Sequence, residues 1–312
     1  NESSTIQAAL LDRLSQPDLG WEVLPADHLD REDISALIES DVRTALIDLN
    51  PLVAADHSRV DQVLPALRAT VLSAVEDGAI VANQRMMSWL RGLEAVQFIG
   101  EQAPVPVRLI DFENPRANRL VVAQEVWFQT GGQPRRYDLV LWVNGFPLAI
   151  GETKTPFEKK SWLNAARDIT LTYEVEQPGF FVPNVLSFAS EGKELRYGPV
   201  GLPAEMWMPW GKTTEEPPPI GLARALHGAE LLLSPEQLLD ILRTYTLFST
   251  KRIGKSTQTF KVIPRYPQVE AVEAIAGRAA DTERRQGLIW RSPAASFAAP
   301  SLAARSSFSW TA

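Results

Sequence analysis

Asp138, Glu152 and Lys154 are the residues of this chain whose types and spacing can do chemistry. Asp138 stands at the start of an apolar run that ends at Val143, and the triplet Glu152-Thr153-Lys154 closes the next run, which begins at Leu148. Side chains alternate faces along a strand, so Glu152 and Lys154 share one face and Thr153 takes the other. Two carboxylates converging from adjacent strands can hold Mg²⁺, a cation that takes oxygen ligands and keeps several of its waters. Such a metal polarises a phosphate and lowers the pKa of a bound water, while Lys154 stabilises charge or orients that water. Phosphodiester hydrolysis needs little more. Acid-x-lysine alone is a common string: it recurs at Glu158–Lys160 and Glu191–Lys193, which read as solvated surface and as a turn. The triplet at 152–154 differs because it follows the apolar residues Leu148 to Ile150 and ends a buried strand on charge. An ordinary salt bridge at a strand end is the competing reading.

Register decides whether the two acids meet. A two-residue Asn144-Gly145 turn sets Val143 opposite Phe146, which puts Asp138 across from Gly151 and on the wrong side from Glu152. A three-residue connection through Phe146, or an equivalent bulge, places Asp138 directly across from Glu152. Pro147 cannot donate a ladder hydrogen bond, so an irregular connection is expected here, and with it the odd register.

The elements around this pair change character along the chain. Apolar spacing predicts helices over Ser4–Leu14, Asp33–Leu49, Val60–Val75 and Asn83–Leu93. From residue 105 the pattern becomes short runs rich in Val, Ile, Leu and aromatics, broken by Asn-Pro, Gly-Gly and Asn-Gly. These predict strands over Val105–Phe112, Leu120–Gln129, Tyr137–Val143 and Leu148–Thr153. A helix over Lys159–Glu174 and a strand over Val185–Ala189 follow. The expected fold is α/β: a mixed sheet flanked by helices, with a helical N-terminal region. Pro217, Pro218 and Pro219 stiffen a linker. Ser234 and Pro235 open a helix running through Leu242, as N-cap and first helical position. A further helical pattern follows Gln268. The last 22 residues, from Arg291, contain seven Ala and six Ser without periodicity. The expected division is therefore 1–212 as the α/β domain, 213–260 as linker and helical connection, 261–290 as the start of another domain, and 291–312 as an aberrant or disordered tail.

Composition excludes several other classes. The 312 residues are 45% hydrophobic and 22% charged, which suits a globular protein. No apolar run reaches the roughly 20 residues that span a bilayer, and no secretory pattern opens the chain, so a cytoplasmic protein without a membrane partner is expected. No cysteine is present, which removes disulfides, thiolate metal sites and cysteine nucleophiles. His28, His57 and His227 lie far apart in sequence, against a histidine-rich metal site. The net charge of −7 argues against a protein that coats DNA indiscriminately, so any basic track is local.

The stretch from Arg136 to Pro156 resembles the nuclease segment of the R (HsdR) subunit of type I restriction enzymes, a PD-(D/E)xK nuclease domain of restriction-endonuclease-like fold. The resemblance includes the regions of Asp111–Pro115 and Gln124 upstream, and of Phe181–Val185 and Ser190–Glu194 downstream. It continues through Pro264–Gln268 and ends at Gly287–Trp290. It implies that Asp138, Glu152 and Lys154 are the metal and catalytic residues, that Mg²⁺ is the cofactor, and that DNA and the modification (M) and specificity (S) subunits are partners. In such subunits the nuclease precedes an ATP-driven DNA motor, of which residues 261–290 resemble the opening stub. Gln268 resembles the motor's adenine-contacting glutamine.

Two departures stand out. Related nucleases often carry Gln-x-x-x-Tyr on the helix after the lysine. Here Tyr173 fits, but the position four residues earlier is Ile169, with Asp168 beside it. Lys159, Lys160, Arg167 and Tyr173 are the candidate DNA contacts, with solvated charge or packing as the plainer explanation, and Glu2 is a candidate upstream acid. Second, no glycine-rich phosphate loop follows Trp290. Gly254-Lys255-Ser256 is the lone Gly-Lys-Ser, but Ser249 replaces the first glycine, so it reads as a turn and ATP is not expected to bind this chain. A break of reading frame at residue 291, or a truncation, is the corresponding expectation. The alternatives to a DNA-cleaving domain are a non-catalytic remnant that only docks to partner subunits or DNA, and a stand-alone DNA-end nuclease.

Overall fold

A computed structural model describes residues 2–155, 161–211, 219–254 and 256–281. They fall into two compact units, Asn1–Ile263 and Pro264–Ala312. In the first, seven strands form one sheet among the described residues. They are β1 (Glu22–Val23), β2 (Leu120–Phe128), β3 (Arg135–Val143), β4 (Phe146–Thr153), β5 (Leu186–Ser190), β6 (Leu195–Gly198) and β7 (Met208–Pro209), and their spatial order follows the chain. The pairs β1–β2 and β4–β5 are parallel, and the others antiparallel. The sheet is therefore mixed, and helices flank it as expected from the sequence.

The centre of the sheet is covered on both faces. All eight residues of β4 and the last seven of β3 are buried, which explains their near-continuous apolar runs. One core gathers Val140, Trp142 and Ile150 with Ala165, Ile169, Phe180 and Phe181. Helix α1 (Glu2–Leu14) buries Ile6, Leu10, Leu11 and Leu14, the spacing that predicted it.

Three predicted elements differ. The helix expected over Asp33–Leu49 is α2, which begins only at Glu39. Residues 33–38 run as irregular chain because the sheet offers their main chain better partners. The Asp33 carbonyl accepts from Gln129 N–H, the Ala36 carbonyl from the Trp142 indole, and Ile38 N–H donates to the Gly145 carbonyl. The strand expected over Val105–Phe112 is paired only at Val105–Pro106, with Ala95–Val96. Beyond it the Asn50 side chain takes the place of a partner strand, donating to the Arg108 carbonyl and accepting from Arg108 N–H. The helix expected over Lys159–Glu174 is α5 (Trp162–Arg167), which passes into a π-helical turn over Asp168–Tyr173 and one last α turn. Ser161 caps its N-terminus. Helices α3 (Val60–Leu72) and α4 (Ala79–Leu90) lie close to the predicted spans.

After the sheet, α6 (Leu222–Leu233) packs against α1 and β6. Helix α7 (Pro235–Asp240) is capped by Ser234, as its sequence predicted. The hairpin β8 (Leu247–Ile253) and β9 (Ser256–Val262) turns at Gly254, φ 62°, the first residue of the Gly-Lys-Ser string. In the second unit, α8 (Tyr266–Ala280) starts two residues before Gln268, whose Oε1 accepts from Arg265 N–H at the helix start. The tail from Arg291 lies outside the described residues.

Candidate active site

The β3–β4 hairpin has the two-residue turn and nevertheless reaches the odd register. Asn144 and Gly145 both have positive φ, 49° and 81°, which is the geometry of a tight primed turn. Val143 pairs with Phe146 and Trp142 with Pro147. The register then shifts, so that Leu141 faces Ala149 and Leu139 faces Gly151. Leu148 is the extra residue, a bulge immediately after the proline that cannot donate. One step beyond the last pair, position 138 falls across from position 152. Asn144 is anchored from outside the hairpin: its amide donates to the Leu109 carbonyl and to Asn118 Oδ1, and its Oδ1 accepts from Arg119 N–H. The segment around Asp111–Pro115 serves the same anchor, since Asp111 N–H donates to Asn118 Oδ1.

At the end of β4 the strands part and side chains take over from main chain. Asp138 Oδ2 accepts from Thr153 N–H at 2.9 Å and from the Thr153 hydroxyl at 2.8 Å. Gln7 of α1 donates to that hydroxyl at 3.2 Å. Across the ladder Glu125 of β2 stands opposite Asp138, between the paired positions Gln124–Leu139 and Val126–Tyr137, with φ 56°. That left-handed conformation is costly for a side-chain-bearing residue and interrupts pairing at Asp138. Lys154 Nζ donates to Glu152 Oε1 at 2.8 Å and pairs with Asp168 Oδ2 at 2.6 Å. Gly151 is required beside Glu152, because a Cβ there would sit 2.2 Å from the Phe188 ring.

The electrostatics converge on Glu152. Burial, then the Asp138 charge, push its carboxyl up to about 8, against the opposing pull of Lys154. Burial works to lower the Lys154 pKa, but Glu152 and Asp168 outweigh it and hold the ammonium protonated. The Tyr173 phenol is raised by burial and then by the charges of Glu152, Asp168 and Asp138, and its ring packs edge-on to Tyr137 at 5.3 Å.

A divalent cation fits this donor set by one specific observation. Glu152 Oε2 is buried with no hydrogen-bond partner, beside a second carboxylate whose charge it feels. A cation would satisfy that oxygen and remove the cost of the paired negative charges. Among the described residues no group of three or more His, Asp or Glu side chains is placed to hold a metal, so a carboxylate pair such as Asp138 and Glu152 is the most they would offer an ion. Magnesium is suited to such sparse ligation because it retains water.

The other candidates are placed as follows. Arg167, half-exposed, is engaged by Glu205 at 2.7 Å. Lys159, Lys160 and the Glu2 side chain lie outside the described residues. Gln268 belongs to the second unit. Sequence reasoning missed Thr153, Gln7 and Asp168. The spacing of Asp168 to Tyr173 was visible, but only the π turn gives it meaning.

A mixed sheet with an acid on one central strand and acid-x-lysine on the next defines a restriction-endonuclease-like domain. The chain belongs to the family described as the type I restriction enzyme R protein N terminus, whose model matches residues 1–203. Over 305 residues, 91% of this chain, it is 31% identical to the type I restriction enzyme HindI endonuclease subunit of Haemophilus influenzae. Two Methanocaldococcus jannaschii proteins, provisionally named the type I restriction enzyme MjaVIIIP and MjaVIIP endonuclease subunits, are 29% and 27% identical over 59% of this chain. The matched regions span 28% of the first relative and 18% of the other two. Among the described residues no helix is long and apolar enough to cross a membrane.

Proposed function

We propose that this chain is the DNA-cleaving domain of a type I restriction enzyme R subunit and hydrolyses phosphodiester bonds with Mg²⁺. The observation that carries the reading is the partnerless, buried Glu152 Oε2 beside Asp138, with Lys154 held at the same seam. Asp138 and Glu152 would hold the ion, which supplies Lewis acidity and a water of lowered pKa when bound. The chain's own residues do the rest. Thr153 and Gln7 fix the Asp138 carboxylate so that it faces the site without reorganisation. Lys154 places a permanent positive charge where negative charge grows on the phosphoryl oxygens. Burial at the strand ends keeps bulk water from screening these charges.

The relatives are named as endonuclease subunits of type I restriction enzymes. The resemblance read in the sequence extends the proposal to M and S subunits as partners that would bring the DNA and its recognition sequence, and to ATP-driven translocation in a motor to which α8 and Gln268 would belong. Nicking of supercoiled DNA with Mg²⁺ tests the core of it. Wild type is expected to nick, Lys154→Ala and Glu152→Ala to lose at least a hundredfold in rate, on the order of 3 kcal/mol of transition-state stabilisation. Equal rates in all three would leave the non-catalytic, docking-only alternative.

A further inference from the structure

We infer that Asp168 is a positioning residue for Lys154, brought into place by the π-helical turn, and that it holds the ammonium over the site when Glu152 is given up to a cation. The inference rests on the proposed metal-dependent function, but its core is a contact that exists without metal.

Lys154 has two anions within reach. Glu152 Oε1 lies at 2.8 Å and Asp168 Oδ2 at 2.6 Å. The two differ in situation. Glu152 is almost fully buried on β4 and shares its field with Asp138. Asp168 comes from a different element, its side chain is 44% exposed, and Lys154 is its ion-pair partner. A cation on Glu152 competes with Lys154 for the same carboxylate and repels the ammonium at short range. Were Glu152 the sole anchor, filling the site would expel the lysine that the chemistry needs. Asp168 is an anchor that the cation does not take.

The helix is built irregularly to supply it. Residues five apart on an α-helix stand on different faces, whereas i→i+5 bonding over Asp168–Tyr173 brings the two ends of the turn back to one face. Asp168 thereby reaches Lys154 while Tyr173, on the same face, lies in the field of Glu152. Ile169, the next residue, stays fully buried in the core. The extra residue of the π turn thus lets one helix serve core and site together.

The test uses the full chain labelled with ¹⁵N-lysine and free of metal, where an ammonium held in an ion pair gives an exchange-protected cross-peak. Lys154→Arg assigns the peak. In a Glu152→Gln background, where Asp168 is the carboxylate left against Lys154, the peak is expected to persist, and to vanish when Asp168→Asn, an isosteric change, is added, with the melting temperature unchanged by the addition. In Asp168→Glu it should return in part. With Mg²⁺, the single-turnover nicking rate of Asp168→Asn is expected to fall at least tenfold, and that of Asp168→Glu to recover part of the loss. A peak that survives Asp168→Asn in the Glu152→Gln background, or no protected peak in that background with Asp168 in place, overturns the inference. A protected, Asp168-dependent peak in that background, beside a wild-type chain that does not nick DNA, upholds the contact and removes the proposed function instead.

Discussion

Glu152 is held where its charge costs more than its neutral form. Its carboxyl is moved from 4.5 to about 8, by burial first and by Asp138 second. A raised carboxyl stabilises the fold while protonated, and that contribution is lost as pH rises from about 4.5 through about 8. The metal-free chain is therefore expected to lose melting temperature across this range, and Glu152→Gln to lose less of it. Some slope remains in the variant, because burial also pushes Glu174 up to about 8. Mg²⁺ should raise the wild-type melting temperature more at the alkaline end than at the acid end. Parallel melting curves for wild type and Glu152→Gln would contradict this account. At the neighbouring position, Thr153→Val keeps the shape and removes the hydroxyl that Asp138 and Gln7 share. It is expected to cost about 1 kcal/mol of stability in a denaturant titration.

Among the elements, the β3–β4 hairpin does the positioning. The Asn144-Gly145 turn alone would leave Asp138 on the wrong face, and the bulge at Leu148 corrects it within three residues. β4 then runs against β5 closely enough that Gly151 admits no side chain, with the Phe188 ring filling the space. Gly151→Ala is expected to destabilise by about 1–3 kcal/mol, the usual cost of overpacking. Because Glu152 follows directly, nicking should fall further than the unfolded fraction accounts for. Wild-type stability in this variant would mean that Phe188 moves freely, and the tight β4–β5 seam would lose its role.

On the scale of the whole molecule, the hairpin of β8 and β9 is tied into the first unit by a buried charge. Lys261 is 5% exposed, its ammonium donates to the Asn184 carbonyl ahead of β5, and burial pulls its pKa well below the usual lysine value. Glu174, next to Tyr173, supplies part of the compensating charge. Lys261→Ala removes one of the two donors to the Asn184 carbonyl, the Asn83 amide being the other, together with a buried stem, and is expected to cost about 1–3 kcal/mol. Chemical denaturation would read it, and a loss under about 1 kcal/mol would show the contact to be incidental. The anchor lies beyond residue 203, where the family match ends, yet inside the compact unit that extends to Ile263.

Much of the architecture was legible in the chain because it rests on local periodicity. Apolar residues at helical spacing located α1, α3 and α4, continuous apolar runs located β3 and β4, and Pro147 announced the irregularity that brings position 138 across from position 152. The acid and the acid-x-lysine triplet stood out for the same reason, as charges ending a buried strand. Three other things depended on contacts between distant segments, which no spacing records. Residues 33–38 abandon the helix because the sheet's main chain competes for their hydrogen bonds. Thr153, assigned by alternation to the far face, meets Asp138 because strands part at the end of β4 and a carboxylate enters the gap. Asp168 looked misplaced by one residue, and only the π turn, with i→i+5 bonds made in the folded helix, sets it against Lys154.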